Sequence, residues 1–286
     1  MNDLCILVPT FPDCEDIAEF TVSRIKKFWP DHPKLFLCGL GRGEISSTSP
    51  HADWMTILYE ACEALWKRGF RKVYLLLDDH PPLGPCHALH LNQTLPVVLQ
   101  NLGAINISLL GTGQGRPSYG TRVKVNGFSF EHVDSEQLWK FSLHPALWNL
   151  ENLRALLQEM IRLLPFEQRT PWMFERWGGA PEAPFPMDWK SGSYRIQGHT
   201  MRFQVLHPWI PGARHVARGL ELLADLFGKG PLVRRPLGFI RQLYDGPYPI
   251  LWSGIMKKKE VNPDFLFYLQ LIAQEDFLEN LPHRFL

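Results

Sequence analysis

Three short apolar runs, Leu4 to Val8, Lys34 to Leu40 and Lys72 to Leu77, alternate with two stretches whose apolar residues recur at helical spacing. Runs this short, apolar at nearly every position, suit strands buried on both faces of a sheet. Between the first two, Ile17, Phe20, Ile25 and Phe28 share one helical stripe, which Pro30 and Pro33 stop. Between the second and third, Trp54, Ile57, Leu58, Ala61, Cys62 and Leu65 share another. Ser49-Pro50 reads as the start of that helix and Gly69 as its end. Strand, helix, strand, helix, strand predicts an α/β fold with a mostly parallel, doubly wound sheet and helices on both faces.

Beyond Leu77 the pattern is less regular. A helix is expected from Leu91 to Asn101 and a strand from Ile105 to Leu110. Gly111 to Gly120 reads as a loop. Its Arg116 and exposed N–H groups suit an anion, but its spacing matches neither the dinucleotide fingerprint nor the P-loop. Asn126-Gly127 predicts the tight turn of a hairpin over Lys124 to Val133. Asn149 is expected to cap a helix with Leu150, Leu153, Leu157, Met160, Ile161 and Leu164 on one face, ended by Pro165. Residues 165–212, rich in Pro, Gly and Trp, read as irregular and site-forming. Further helices are expected over Ala213 to Phe227 and from Asn262-Pro263 to about Glu279.

Composition narrows the function classes. Hydrophobic residues at 45% and charged residues at 21% are ordinary globular usage, which excludes disorder over most of the length. A formal net charge of +1 supplies no field toward nucleic acid, and no nucleic-acid partner is expected. No apolar stretch reaches the roughly 18 residues of a membrane helix, so no integral membrane segment is expected. Met1 to Thr10 reads as a first strand rather than a signal peptide. The five cysteines are scattered without a CxxC pair. They read as reduced thiols, which points to a cytoplasmic protein, free or peripheral to a membrane. Lys257-Lys258-Lys259 reads as a solvated charge run, with a phosphorylated or membrane-surface acceptor as its functional alternative.

Asp78 and Asp79 follow the third run at its carboxyl end, where open α/β sheets take ligands. Adjacent carboxylates repel unless a cation or a donor stands between them. A hard divalent ion, Mg²⁺ or Mn²⁺, accepts carboxylate and phosphate oxygens together. The local alternative is an aspartate capping the turn before Pro81-Pro82. A rival constellation follows at once, with His80, Cys86, His87 and His90 close in sequence and His87 and His90 at i, i+3. Neutral imidazole suits Zn²⁺, and a metal-dependent hydrolase would use Asp78, Asp79 and His80 with His87 and His90.

Tyr74-Leu-Leu-Leu-Asp-Asp-His80, Phe141-Ser-Leu-His-Pro-Ala-Leu-Trp148 and Pro171-Trp-Met-Phe-Glu175, in that order, resemble a bacterial group of GT-A-like sugar transferases over about residues 4 to 178. The resemblance implies a GT-A-like, Rossmann-related fold in a single domain over 1–286. Its nucleotide-sugar-binding half would be 1–120 and its acceptor-side half 121–286. It implies transfer of a sugar from a nucleotide-diphosphate sugar to a glycan, lipid-linked or small-molecule acceptor. Thr10, Asp53, Trp54, Asp78 and Asp79 would then bind the donor, Asp79 and His80 would hold a metal, and Glu175 would act as general base in an inverting reaction. His144, Trp148 and Trp172 would contact the acceptor or a sugar. His80 stands where many sugar transferases have a further aspartate, and His144 where the group has glutamine. Both departures keep a catalytically silent nucleotide- or sugar-binding relative in view.

Overall fold

The computed structural model describes residues 3–45, 53–109, 122–125, 128–133, 141–177, 193–196, 243–244, 246–251, 254–257, 260–263, 265–266 and 282. The expected loop at 111–120, the helix at 213–227 and the end of the last helix lie outside the described residues, as does the turn at Asn126-Gly127.

The three apolar runs form strands β1 (Leu4–Pro9), β2 (Lys34–Cys38) and β3 (Lys72–Leu75). Helices α1 (Glu15–Phe28) and α2 (Trp54–Lys67) connect them. β1 pairs in parallel with both β2 and β3, as the alternation predicts. Next come α3 (Leu95–Asn101), entered through a π-helical turn over His90–Thr94, and the short strand β4 (Asn106–Ser108). β5 (Arg122–Val125) and β6 (Phe128–Val133) form the expected hairpin, with Val125 opposite Phe128. β7 (Ala146–Asn149) leads into α4 (Leu150–Leu163), and α5 (Pro171–Trp177) and β8 (Ser193–Ile196) follow.

The eight strands make one mixed sheet in the order β2-β1-β3-β7-β4-β8-β6-β5. Six run one way; β7 and β6 run against them, as their antiparallel pairings require. The plain parallel sheet is therefore modified: a reversed strand, β7, stands between β3 and β4. Side chains alternate across the sheet. Cys5, Leu7, Val73, Leu75 and Trp148 face one core with α2, α4 and Phe174 of α5. Leu4, Ile6, Val8, Tyr74, Leu76 and Leu147 face the other, with Ile25 of α1 and Leu95, Val98 and Leu99 of α3. The result is an α/β sheet covered by helices on both faces. Among the described residues no helix is long and apolar enough to cross a membrane.

Three local expectations need correction. Asp53, not Ser49, caps α2: its Oδ1 accepts from the Thr56 N–H at 2.7 Å. Trp148, where no strand was expected, lies in β7 directly before Asn149, which caps α4 by accepting from the Asn152 N–H at 3.1 Å. Residues 171–177 are helical, not irregular. Past β8 the short pairs β9 (Leu243–Tyr244) with β10 (Ile250–Leu251), and β11 (Met256–Lys257) with β12 (Glu260–Val261), build a segment that returns to the main sheet.

Candidate functional site

From β1 the chain passes to β2 on one side and then to β3 on the other, so the strand order reverses between β1 and β3. Ligands of open α/β sheets bind outside the carboxyl ends of the strands at such a switch point. Thr10 follows β1 there and Asp78 follows β3. The buried Thr10 hydroxyl donates to Asp78 Oδ2 at 2.6 Å, and the hydroxyl of Thr21 on α1 donates to the Asp78 carbonyl. Thr10 is itself fixed by its N–H, which donates to the Cys38 carbonyl at 3.0 Å. Gly39 fits closely on this link: at φ +95°, a Cβ there would stand 2.0 Å from the Thr10 carbonyl oxygen.

Electrostatics separate the paired carboxylates. Burial, reinforced by the charge of Asp79 and opposed by the Thr10 hydrogen bond, pushes Asp78 up to about 7. The free energy of charging a partly desolvated acid beside another acid is the cause. Burial, with Asp78 adding to it, also pushes the Cys38 thiol up to about 12, so this neighbour stays a thiol and is no nucleophile. Asp79 is 26% exposed at its side chain, and its Oδ1 lies 2.6 Å from His80 Nδ1.

His80 is buried and meets His144 edge to face, ring centroids 5.5 Å apart at 88°. His144 precedes β7, and its Nδ1 lies 2.6 Å from Ser142 Oγ. Ser142 Oγ donates to Glu175 Oε1 at 3.2 Å, and the Leu143 N–H donates to the same oxygen at 2.6 Å. Contacts thus run from Asp79 through His80, His144 and Ser142 to Glu175 on α5, polar at every link but the edge-to-face meeting of the His80 and His144 rings. The antiparallel insertion of β7 makes this possible, because it sets the residues entering β7 beside the carboxyl end of β3.

A wall from the far end of the chain completes the site. Tyr248 Oη donates to the His80 carbonyl at 3.2 Å, and the Leu83 N–H donates to the Pro249 carbonyl at 2.9 Å. The Ile255 N–H donates to the Asp79 carbonyl at 2.8 Å. Gly254, at φ +67°, lies against Asp79: a Cβ on it would stand 2.6 Å from Asp79 Oδ2.

No protein-family model matches the sequence, and no curated protein matches it.

Of the residues singled out in the sequence, Thr10, Asp78, Asp79, His80, His144 and Glu175 come together here. The others stand apart. Asp53 is occupied by its capping bond, by the Thr56 hydroxyl at 2.9 Å and by Arg169 Nη1 at 3.3 Å. Trp54 is buried against Phe174, with ring centroids 5.8 Å apart. It supports α5 from the core side. Trp148, 0% exposed between Phe141 and Phe174, has no face to offer a sugar. Trp172 is the opposite case, 71% exposed on α5 one turn before Glu175.

The histidines of the hydrolase constellation have other contacts. His80 turns its Nδ1 to Asp79, while the His87 and His90 rings meet at a tilt, centroids 5.6 Å apart, and His90 meets Phe128 edge to face at 4.6 Å. Among the described residues no three His, Cys, Asp or Glu side chains converge as ligands. Thr21, Tyr248 and Gly254 were not singled out, while Ser142 was read only as part of a motif and Asn262 only as a helix start. Thr21 carries no pattern of its own, and Tyr248 and Gly254 act at the site through contacts between distant parts of the chain.

Proposed function

We propose that the chain is a GT-A-like glycosyltransferase that moves a sugar from a nucleotide-diphosphate sugar to an acceptor hydroxyl with inversion. The observation that carries this reading is the contiguity of the Asp78-Asp79 pair with Glu175, through His80, His144 and Ser142, at the switch point of the sheet. A diphosphate-leaving reaction and a proton-accepting carboxylate need to stand on either side of one sugar carbon, and these two acidic groups come from different strands and helices to one place.

In this reading Asp79, the more exposed of the pair, faces the donor's diphosphate, and Asp78 stands behind it on Thr10. Two carboxylates, with no third His, Cys, Asp or Glu converging on them among the described residues, suit Mg²⁺ or Mn²⁺, whose remaining coordination substrate phosphates and water commonly fill. Such an ion would be held by Asp79, with Asp78 beside it, and would neutralise charge on the leaving diphosphate. His80 is a buttress on Asp79 rather than a ligand. Glu175 takes the proton of the acceptor hydroxyl as its oxygen bonds to the sugar carbon, and the nucleoside diphosphate leaves with the bonding electron pair. The N–H of Leu143 and the hydroxyl of Ser142 fix the direction of the Glu175 carboxylate. Trp172 offers an exposed indole near that carboxylate, the surface on which an acceptor sugar face would stack.

Titration calorimetry with uridine, guanosine and cytidine diphosphates, with and without Mn²⁺, tests the reading. One nucleotide is expected to bind, more tightly with the metal. Failure of all three to bind would end it, while binding with no turnover of any nucleotide sugar would leave a silent relative.

A further inference from the structure

Besides the burial of Tyr248, Ile250, Leu251 and Ile255, backbone contacts draw the described residues of 246–251 and 254–262 onto the site. Gly246 sits where a Cβ would meet the Leu109 carbonyl oxygen at 2.7 Å, and the His87 N–H donates to the Pro247 carbonyl at 3.0 Å. At the other end, β11 and β12 close a hairpin whose base is tied twice. The Asn262 N–H donates to the Ile255 carbonyl at 2.9 Å, and the fully buried Asn262 amide donates to the Gly254 carbonyl at 2.7 Å. This clamp sets the backbone of Gly254 in the left-handed region and lays its Cα face on Asp79. A Cβ there would stand 2.6 Å from Oδ2, 2.9 Å from the Asp79 carbonyl oxygen and 3.0 Å from Cγ. Three contacts of that kind with one residue mean that the space beside Asp79 is shaped to the width of a glycine. His80 Nδ1 holds the other carboxylate oxygen, Oδ1.

We infer that Gly254, clamped by Asn262, is a positioning residue for Asp79. The missing side chain lets the Asp79 carboxylate lie against the C-terminal wall, in an orientation that keeps its bond to His80 and would present it to a cation shared with a bound diphosphate. This rests on the reading that Asp79 faces the diphosphate. It adds that the donor site is built jointly by the end of β3 and a segment more than 170 residues later. Gly254 acts through Asp79 and touches no substrate.

The test compares Gly254→Ala with Gly69→Ala. Gly69 has φ +93° and nothing within 4 Å of a Cβ, and lies at the opposite end of β3, so it reports left-handed strain alone. Affinity for the nucleoside diphosphate that the wild-type chain binds best is measured by calorimetry in the presence of Mn²⁺, and unfolding by urea. Gly254→Ala is expected to weaken binding about tenfold or more, the loss of one contact to a charged group, while Gly69→Ala binds as wild type. In an Asp79→Ala background, Gly254→Ala is expected to weaken binding no further, because the group it displaces is gone. Wild-type affinity in Gly254→Ala overturns the inference, as does an equal loss with and without the Asp79 carboxylate. If Gly254→Ala does not fold, Asn262→Ala, which loosens the clamp without adding atoms, decides in its place: reduced affinity supports the inference and unchanged affinity overturns it. A wild-type chain that binds none of the three nucleotides removes the proposed function, and this inference with it.

Discussion

Glu175 on α5 accepts the Leu143 N–H at 2.6 Å, so the carboxylate of a short helix is bonded to the backbone that enters β7. That bond aims the side chain and joins the two C-terminal motifs to the strand pair at the sheet's centre. Glu175→Gln keeps the accepting oxygen for Leu143 and Ser142 but cannot take a proton. The proposed transfer is expected to fall by about 10²–10⁴-fold, the usual span for loss of a general base. Nucleoside diphosphate affinity is expected to stay within about twofold of wild type, since the glutamine leaves the β3 carboxylates untouched. A Glu175→Gln enzyme that still transfers sugar at the wild-type rate would remove Glu175 as the base.

Asp78 makes stability depend on pH in an unusual sense. Its folded-state value, about 7, lies above the ordinary 3.8, with burial the first cause and Asp79 the second. The folded chain therefore holds this proton more tightly than the unfolded chain. Between about pH 4 and pH 7 the folded state binds more protons, so this group's contribution to stability falls as pH rises and levels off above about 7. Asp78→Asn cannot titrate, so the difference in unfolding free energy between it and wild type should move in favour of the variant across that window. Urea unfolding at several pH values measures it. A difference that is flat with pH, or that moves the other way, contradicts the assignment. Mn²⁺ should bind more tightly as pH rises through the same range, because the ion displaces the proton.

The parts of this fold that were legible in the sequence are those governed by local periodicity. β1 and β3 are buried on both faces, and β2 at the sheet edge buries Phe36 and Cys38 and half-buries Leu35 and Leu37, so all three read as apolar runs, while α1, α2 and α4 carry one apolar stripe each. Asn149 was legible as a cap because its side chain acts three residues away, within the same segment. β7 was not. Its four residues are too few to show a period, and their role is set by pairing with β3 and β4, which lie far off in the chain. Asp53 illustrates a different limit: the sequence showed a capping serine and proline upstream, but the helix begins where Trp54 can enter the core beside Phe174. At the site the acidic pair was readable from its abrupt place after β3. Gly254 was not, because the need for a glycine arises only from how close Asp79 lies.

Gly39 and Gly43 offer a matched pair, both at φ +95°. A side chain at Gly43 meets nothing within 4 Å, so Gly43→Ala is expected to cost only the left-handed backbone term, about 1–2 kcal/mol. At Gly39 a Cβ would stand 2.0 Å from the carbonyl oxygen of Thr10, whose hydroxyl holds Asp78. Relief of that overlap has to move the end of β1 away from β2, adding about 1–3 kcal/mol more. Gly39→Ala should therefore unfold at markedly lower urea and also lose nucleotide affinity, because Thr10 shifts with it. Equal destabilisation of the two variants would mean that the close approach of Gly39 to Thr10 carries no energy.

Trp172 and Trp148 were both offered as sugar platforms by the sequence, and the structure assigns them opposite surroundings. Trp148 is wedged between Phe141 and Phe174 under β7, so Trp148→Ala is expected to cost about 3–5 kcal/mol by the cavity it leaves. Trp172, 71% exposed, should tolerate alanine within about 0.5 kcal/mol, as surface positions do. Its loss should instead raise KM about threefold to tenfold for any saccharide acceptor that supports turnover, with kcat unchanged, because stacking on a sugar face holds ground state and transition state alike. Urea unfolding and steady-state kinetics on the two variants separate these effects. A Trp172→Ala enzyme with wild-type KM would leave that indole no part in acceptor binding, and the acceptor would have to lie on the other side of Glu175.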